Sequence, residues 1–87
     1  MAHENYNECI AAELDHKEVK RIAAGLSRYA KQAEVLGLTI FGGSGTGTLR
    51  FNDNSGFGPL IVAELDGLFS GGDGAALEED GLLRGEL

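Results

Sequence analysis

The sequence predicts an α+β fold, with one amphipathic helix over about residues 16–36 packed on a three-stranded antiparallel sheet. Three observations favour this class: a helical apolar period in that segment, strand-like patterns in three later segments, and glycine-rich turns between them. A chain of 87 residues can bury one small core, so we expect a single domain over residues 1–87. Its acidic, glycine-rich C-terminal segment begins at about residue 66.

The main helix carries clear boundary signals. Apolar residues recur at steps of three and four from Val19 to Leu36, so they form one stripe on a helix. Asp15 is a suitable N-cap, and Glu18, three residues later, completes the pattern of a capping box. Gly37 follows the last apolar position and favours the left-handed conformation that ends a helix.

A short helix is also predicted before the main one. Its apolar residues, Tyr6, Ile10 and Leu14, share one helical face. In a single straight helix, this face would lie nearly opposite the apolar stripe of the main helix. One of the two would then point at water, so we expect a bend or break near Leu14–Asp15.

Three strands are predicted beyond Gly37, over residues 38–41, 48–51 and 60–63. The glycine-rich run 42–47 joins the first two as a hairpin, and residues 52–56 form a second turn. The third segment is apolar on both faces. This pattern indicates a strand that is covered on both sides, with a short buried helix as the alternative.

Alternation along the three strands assigns their side chains to two sheet faces. One face is expected to consist of Leu38, Ile40, Leu49, Phe51, Leu60 and Val62. The other is expected to carry Phe41, Ile61, Ala63 and Leu65. Since one helix covers only one face, the N-terminal helix, the C-terminal leucines or a second copy of the chain must cover the other. Self-association into a homodimer is therefore a prediction.

The charge of the chain is concentrated at its C-terminal end. Acidic and basic residues balance as far as Phe51, so the segment from Asn52 onward carries the formal net charge of −7. Residues 66–87 are punctuated by glycine and are expected to be irregular, with at most two helical turns at 75–80. Exposed acidic residues attract cations or basic protein surfaces and repel the phosphates of nucleic acid. The predicted partner-binding residues are Asp53, Asp66, Asp73, Glu78, Glu79 and Asp80.

A basic face is predicted on the main helix, opposite its apolar stripe. Its residues are Lys17, Lys20, Arg21, Arg28 and Lys31. The simplest interpretation is a face in contact with solvent. Docking of the acidic C-terminal segment on it, within one molecule or between two, is the alternative.

The glycine-rich run resembles the loop of P-loop nucleotide-binding proteins in the spacing of Gly42 and Gly47. Thr48, however, stands where the phosphate-binding lysine belongs, and Leu49 replaces the hydroxyl residue that holds magnesium. A predicted strand follows, so no helix N-terminus faces the phosphates. A hairpin turn is the better interpretation, and we expect no nucleotide cofactor.

No metal site or catalytic group is predicted. A calcium loop of the EF-hand type beginning at Asp53 would place Phe57 where an oxygen ligand belongs. His3, His16 and Cys9 lack a third ligand at a recognisable spacing. Cys9 is more typical of a small buried hydrophobic residue, and His16 of a solvated residue in the first helical turn.

The remaining features favour a cytoplasmic protein without a membrane segment. The single cysteine permits no internal disulfide, as is usual in a reducing compartment. No apolar run approaches the length of about 20 residues that spans a bilayer. The N-terminal residues lack the basic start and apolar stretch of a secretory signal.

These features predict a non-enzymatic, acidic protein-binding module. Its partner would be a basic protein surface, such as the groove of a larger nucleic-acid-binding complex. There the carboxylates would take the place of phosphates, so that the module acts as an inhibitor and nucleic-acid mimic without binding nucleic acid itself. The alternatives are a self-assembling structural or accessory subunit and, less favoured, a nucleotide- or calcium-binding protein.

Overall fold

The computed structural model describes residues 2–43, 45–71 and 75–85. The elements are α1 (Tyr6–Ala11), α2 (His16–Val35), β1 (Leu38–Gly43), β2 (Thr46–Phe51), β3 (Leu60–Leu65), β4 (Ala75–Leu77) and β5 (Leu83–Gly85). Strands β1, β2 and β3 form an antiparallel sheet in that order, while β4 and β5 pair separately. The predicted α+β class, with its main helix, short N-terminal helix and three-stranded sheet, is confirmed.

The chain divides into two compact units, Met1–Tyr29 with Gly72–Leu87, and Ala30–Gly71. The first contains α1, most of α2 and the β4–β5 hairpin. The second contains the last turns of α2 and the three-stranded sheet. Ala33, in those last turns, is 8% exposed and is one of the few buried apolar residues of the described chain.

The predicted break between the helices is confirmed, and its geometry is a complete Schellman motif. The N–H of Leu14 donates to the carbonyl of Cys9 (2.9 Å), and the N–H of Glu13 donates to that of Ile10 (3.1 Å). Glu13 takes the left-handed conformation, with φ of 58°. Because glycine usually occupies this position, the sequence did not mark the helix end by residue type.

The start and the end of α2 follow local sequence signals. The Asp15 carboxylate accepts a hydrogen bond from the N–H of Lys17 (3.0 Å), which confirms the N-cap. The capping box is wrong, because the Glu18 carboxylate instead accepts from Arg21 Nε (2.6 Å). At the other end, Gly37 takes the predicted left-handed conformation, with φ of 79°, and its N–H donates to the carbonyl of Glu34 (2.9 Å).

The apolar stripe of α2 remains largely exposed in the described structure. Ile22, Leu26 and Tyr29 are 52%, 65% and 62% exposed, respectively. Most of the hydrophobic free energy that this stripe would contribute on burial, at about 25 cal/mol per Å², is therefore not realised within the described chain.

The register of the sheet corrects the predicted assignment of its faces. Leu49 is opposite Ala63, whereas the next residue, Arg50, is opposite Ile61, so β3 has one extra residue at Val62. Such a β-bulge reverses the alternation of side chains beyond it. Ala63 and Leu65, two residues later, therefore share a face with Leu49. Strict alternation predicts instead that they share a face with Ile61.

Strand β3 also departs from its predicted environment. It is a strand rather than a buried helix, but Leu60, Ile61 and Val62 are 50%, 58% and 51% exposed. The expectation of a strand covered on both sides is therefore wrong for the described chain. The sheet order leaves β3 as an edge strand.

The predicted irregular C-terminal segment instead contains a β-hairpin. Ala75, Ala76 and Leu77 are opposite Gly85, Arg84 and Leu83. The turn is closed by hydrogen bonds from the N–H of Glu78 to the carbonyl of Leu82 (3.0 Å) and from that of Gly81 to the carbonyl of Glu78 (2.9 Å). Strands of three residues are too short to show a period, although Asp80-Gly81 is a typical hairpin signal.

Candidate functional site

The β4–β5 turn brings three of the predicted partner-binding residues together. Glu78, Glu79 and Asp80 are consecutive, and all three side chains are exposed. Strand β5 is held to α1 because the Glu8 carboxylate accepts a hydrogen bond from the N–H of Leu83 (2.8 Å). The acidic turn is thus presented by an anchored hairpin rather than by a tail.

Asp80 differs from its two neighbours because its carboxylate is already used within the hairpin. It accepts hydrogen bonds from the Leu82 N–H (3.1 Å), from Arg84 Nε (3.0 Å) and from Arg84 Nη2. The bond from Arg84, followed by that from Leu82, holds the pKa of Asp80 below its ordinary value, and Asp80 in turn raises the pKa of Arg84. Asp80 therefore organises the turn, and Glu78 and Glu79 remain its available carboxylates.

The other predicted partner-binding residues do not join this turn. Asp53 and Asp66 belong to the second unit, where both are exposed. The Asp53 carboxylate accepts a hydrogen bond from the N–H of Ser55 (3.2 Å) and so helps to shape the loop after β2. Asp73 lies outside the described residues.

A groove on the sheet was not identified from the sequence. It has a volume of about 480 Å³ and is lined by Thr39, Phe41, Arg50, Asn52, Gly56, Gly58 and Pro59. The Arg50 guanidinium carbon lies 4.0 Å from the centre of the Phe41 ring, a cation–π geometry. Arg50 Nε also donates to the Thr48 hydroxyl (3.0 Å), and Thr48 is only 7% exposed. The guanidinium is therefore held in place on two sides.

The register explains why these residues meet. Phe41 is opposite Thr48, and Thr39 is opposite Arg50, so all four share one face of the sheet. Phe41 and Arg50 are diagonal neighbours on that face, a distance that long side chains span. The sequence shows that Arg50 and Thr48, two residues apart on one strand, share a face of the sheet. It does not show that Phe41 lies beside Arg50, because that contact depends on the register between β1 and β2.

The N-terminal residues form a second polar cluster. His16 Nδ1 lies 3.5 Å from Glu4 Oε1, and the His16 ring meets that of Tyr6 edge to face at 5.0 Å. The pKa of Glu4 is lowered by its own backbone N–H and then by His16. His16 is half-buried, its Nδ1 is buried, and so the predicted solvated position is wrong. Cys9 is 5% exposed, which confirms the predicted buried thiol.

The basic face of α2 is exposed, as the simplest interpretation predicts. Its members Lys17, Lys20, Arg21, Arg28 and Lys31 are all exposed. Arg21 pairs with Glu18, and the Arg28 guanidinium lies 5.2 Å from the centre of the Tyr29 ring. Both contacts are local to the helix and use residues one turn apart or adjacent.

Comparison with protein-family models, curated proteins and solved structures found no match. Neither helix within residues 2–43, 45–71 and 75–85 combines the length and the apolar character that a membrane-spanning helix requires. The same residues include no group of three or more His, Cys, Asp or Glu side chains placed to hold a metal ion.

Proposed function

We propose that this chain is a non-enzymatic protein-binding module that meets a basic surface of another protein through its β4–β5 hairpin. The observation that carries the proposal is the juxtaposition of apolar and acidic groups on that hairpin. Leu77 and Leu83 form a cross-strand pair and are 71% and 43% exposed. The exposed Glu78 and Glu79 follow directly on the turn.

This arrangement suits the general design of protein interfaces. Apolar groups at the centre of a contact supply most of the affinity, whereas charged groups at its rim steer association and select the partner. The leucine pair would form the centre, and Glu78 with Glu79 would form an acidic rim. The formal net charge of −7 extends the attraction toward basic partners.

A basic groove that normally holds nucleic acid fits this surface in charge. Glu78 and Glu79 would lie where phosphates lie, and the module would inhibit nucleic-acid binding by occupying the groove. The Asp80–Arg84 pair supports this role because it keeps the turn ordered before binding, which lowers the entropic cost of association.

Partner capture from native lysate, quantified by mass spectrometry, tests the proposal. The chain and its Leu77→Ser variant serve as baits, with Leu68→Ser as the matched control, because Leu68 is 97% exposed but belongs to the other unit. We expect basic proteins to be depleted at least fivefold with Leu77→Ser and unchanged with Leu68→Ser. Nucleic acid added in excess should displace the captured protein. Equal capture by all three baits would contradict a hairpin interface.

Self-assembly through the sheet is a second candidate, favoured by the exposed apolar residues of edge strand β3. Exposed apolar edge strands promote pairing with another chain. Sedimentation at micromolar concentration should then show a dimer that Ile61→Lys converts to a monomer, because charge on an edge strand opposes pairing. A monomeric parent chain would exclude this candidate.

A further inference from the structure

We infer that the groove beside Phe41 and Arg50 is a binding site for a small organic monocarboxylate with an apolar body. Its volume of about 480 Å³ lies within the range of about 300–1,000 Å³ that is usual for small-molecule sites. This site is distinct from the hairpin surface, and it is cationic in a chain whose formal net charge is −7.

The carboxylate would bind the outer edge of the Arg50 guanidinium. A guanidinium carries five N–H donors in a planar fork, and Nε is occupied by Thr48. The two terminal nitrogens remain, and their spacing matches the two oxygens of a carboxylate. No carboxylate of residues 2–43, 45–71 or 75–85 lies within ion-pair distance of Arg50.

Arg50 is also positioned in advance of binding. Its face stacks on Phe41 at 4.0 Å, and its Nε donates a hydrogen bond to the hydroxyl of Thr48, a residue that is 7% exposed. Restricting the side chain in this way reduces the conformational entropy that a flexible arginine loses when it binds. An arginine that only served solubility would need neither contact.

The other residues that line the groove determine which ligand body fits beside the carboxylate. Phe41 and Pro59 offer apolar surface, while Thr39 and Asn52 offer polar groups. These walls favour a ligand with an apolar or aromatic body beside its charged group. The strongly acidic chain repels a dianion more than a monoanion, which favours a carboxylate over a phosphate monoester.

Phenylacetate is a suitable probe because it joins one carboxylate to one aromatic ring. Titration of the ¹⁵N-labelled chain should give saturable shifts of the Arg50 Nε–H and of the Gly56 and Gly58 amides. We expect a dissociation constant of about 1 mM, as is usual for a ligand of this size. 2-Phenylethanol, which lacks the charge, and phenyl phosphate, which is a dianion, should each bind at least fivefold more weakly.

Variants separate the site from general charge effects. Arg50→Gln should weaken phenylacetate binding at least tenfold, and Arg50→Lys at least threefold, because lysine lacks the planar fork. Arg28→Gln is the matched control, since Arg28 also stacks on an aromatic ring but lies on α2. Its affinity should equal that of the parent chain. An unchanged amide spectrum away from the groove establishes that each variant is folded.

Several results would overturn the inference. Unsaturable shifts, or equal affinity of the parent chain and Arg50→Gln, would show that the groove is not a carboxylate site. Equal binding of 2-phenylethanol would reduce it to an apolar surface. Tighter binding of phenyl phosphate would replace the carboxylate by a phosphate ligand and so refute the stated class.

Discussion

The ring of Phe69 packs directly on the backbone of Gly47. A Cβ added to Gly47 would lie 2.7 Å from three carbons of the ring, so only glycine leaves room for it. Gly47 is opposite Gly42 across β1 and β2, and a Cβ at Gly42 would meet the Phe69 Cβ at 3.3 Å. The two glycines therefore form a surface without side chains on which the Phe69 ring packs. The glycine-rich run that resembles a nucleotide-binding loop is instead a hairpin end on which an aromatic residue packs.

Gly47→Ala should destabilise the second unit. The added methyl group would overlap the Phe69 ring, and overpacking of this kind typically costs about 1–3 kcal/mol. Chemical denaturation should show the loss in the free energy of unfolding, and amide shifts should be largest around Phe69. Gly25→Ala is the matched control, because a Cβ there meets nothing within 4 Å and alanine favours a helix by up to about 1 kcal/mol. Equal stability of Gly47→Ala and the parent chain would show that Phe69 does not pack on Gly47.

The helices could be predicted from the sequence because their boundaries depend on nearby residues. Asp15 caps a backbone N–H two residues away, and Gly37 ends the helix through its own conformation. The phase difference between the two apolar stripes placed the break correctly. The predicted capping box was wrong, because Arg21, one turn later on the helix, binds the Glu18 carboxylate.

The sheet faces and the groove could be predicted only in part. Strand positions follow from residue type, but the bulge at Val62 depends on pairing with β2, which the sequence of β3 alone does not encode. For the same reason the contact between Phe41 and Arg50 was not predicted, since it requires the register of two strands. The acidic residues were found by composition, but only the hairpin shows that Asp80 is already bound to Arg84.

Glu13→Gly should stabilise the first unit by about 0.5–1 kcal/mol. Glu13 has φ of 58°, a conformation that costs an L-residue roughly 1–2 kcal/mol. Glycine avoids this strain, but it loses more conformational entropy on folding, so the net gain is smaller than the strain. Thermal unfolding should show a higher midpoint. Glu13→Ala, which removes the carboxylate but keeps the strain, serves as the control. If both variants shifted stability equally, the charge of Glu13 rather than its conformation would be responsible.

Stability should fall in acid partly through Asp80. Its pKa in the folded chain is lowered, first by Arg84, so it contributes stability above its unfolded pKa of about 3.8, and this contribution is lost as the pH falls through the lower folded value. Asp80→Asn should remove this part of the pH dependence, which lies below about pH 4. Hydrogen exchange of the β4 and β5 amides measures it. Asp66→Asn, at an exposed residue of the other unit, should leave the exchange of these amides unchanged.

Removing the two available carboxylates of the hairpin should slow association with a basic partner. Glu78→Gln with Glu79→Gln leaves the Asp80–Arg84 pair intact, so the turn should keep its structure. Exposed charges mainly act on the association rate, and salt screens them over about 8–10 Å. Surface plasmon resonance with a captured partner should show an association rate several-fold lower and a weaker dependence on salt.

The control for this last prediction is a variant with the same loss of charge elsewhere. Glu13→Gln with Glu34→Gln removes two exposed carboxylates from outside the hairpin, and stability should change by no more than about 0.5 kcal/mol, as is usual for exposed substitutions. If its association rate fell as much as that of the hairpin variant, net charge alone would explain the effect. If only the hairpin variant were slowed, Glu78 and Glu79 would be the steering residues. An unchanged rate in both would show that neither pair of carboxylates steers association.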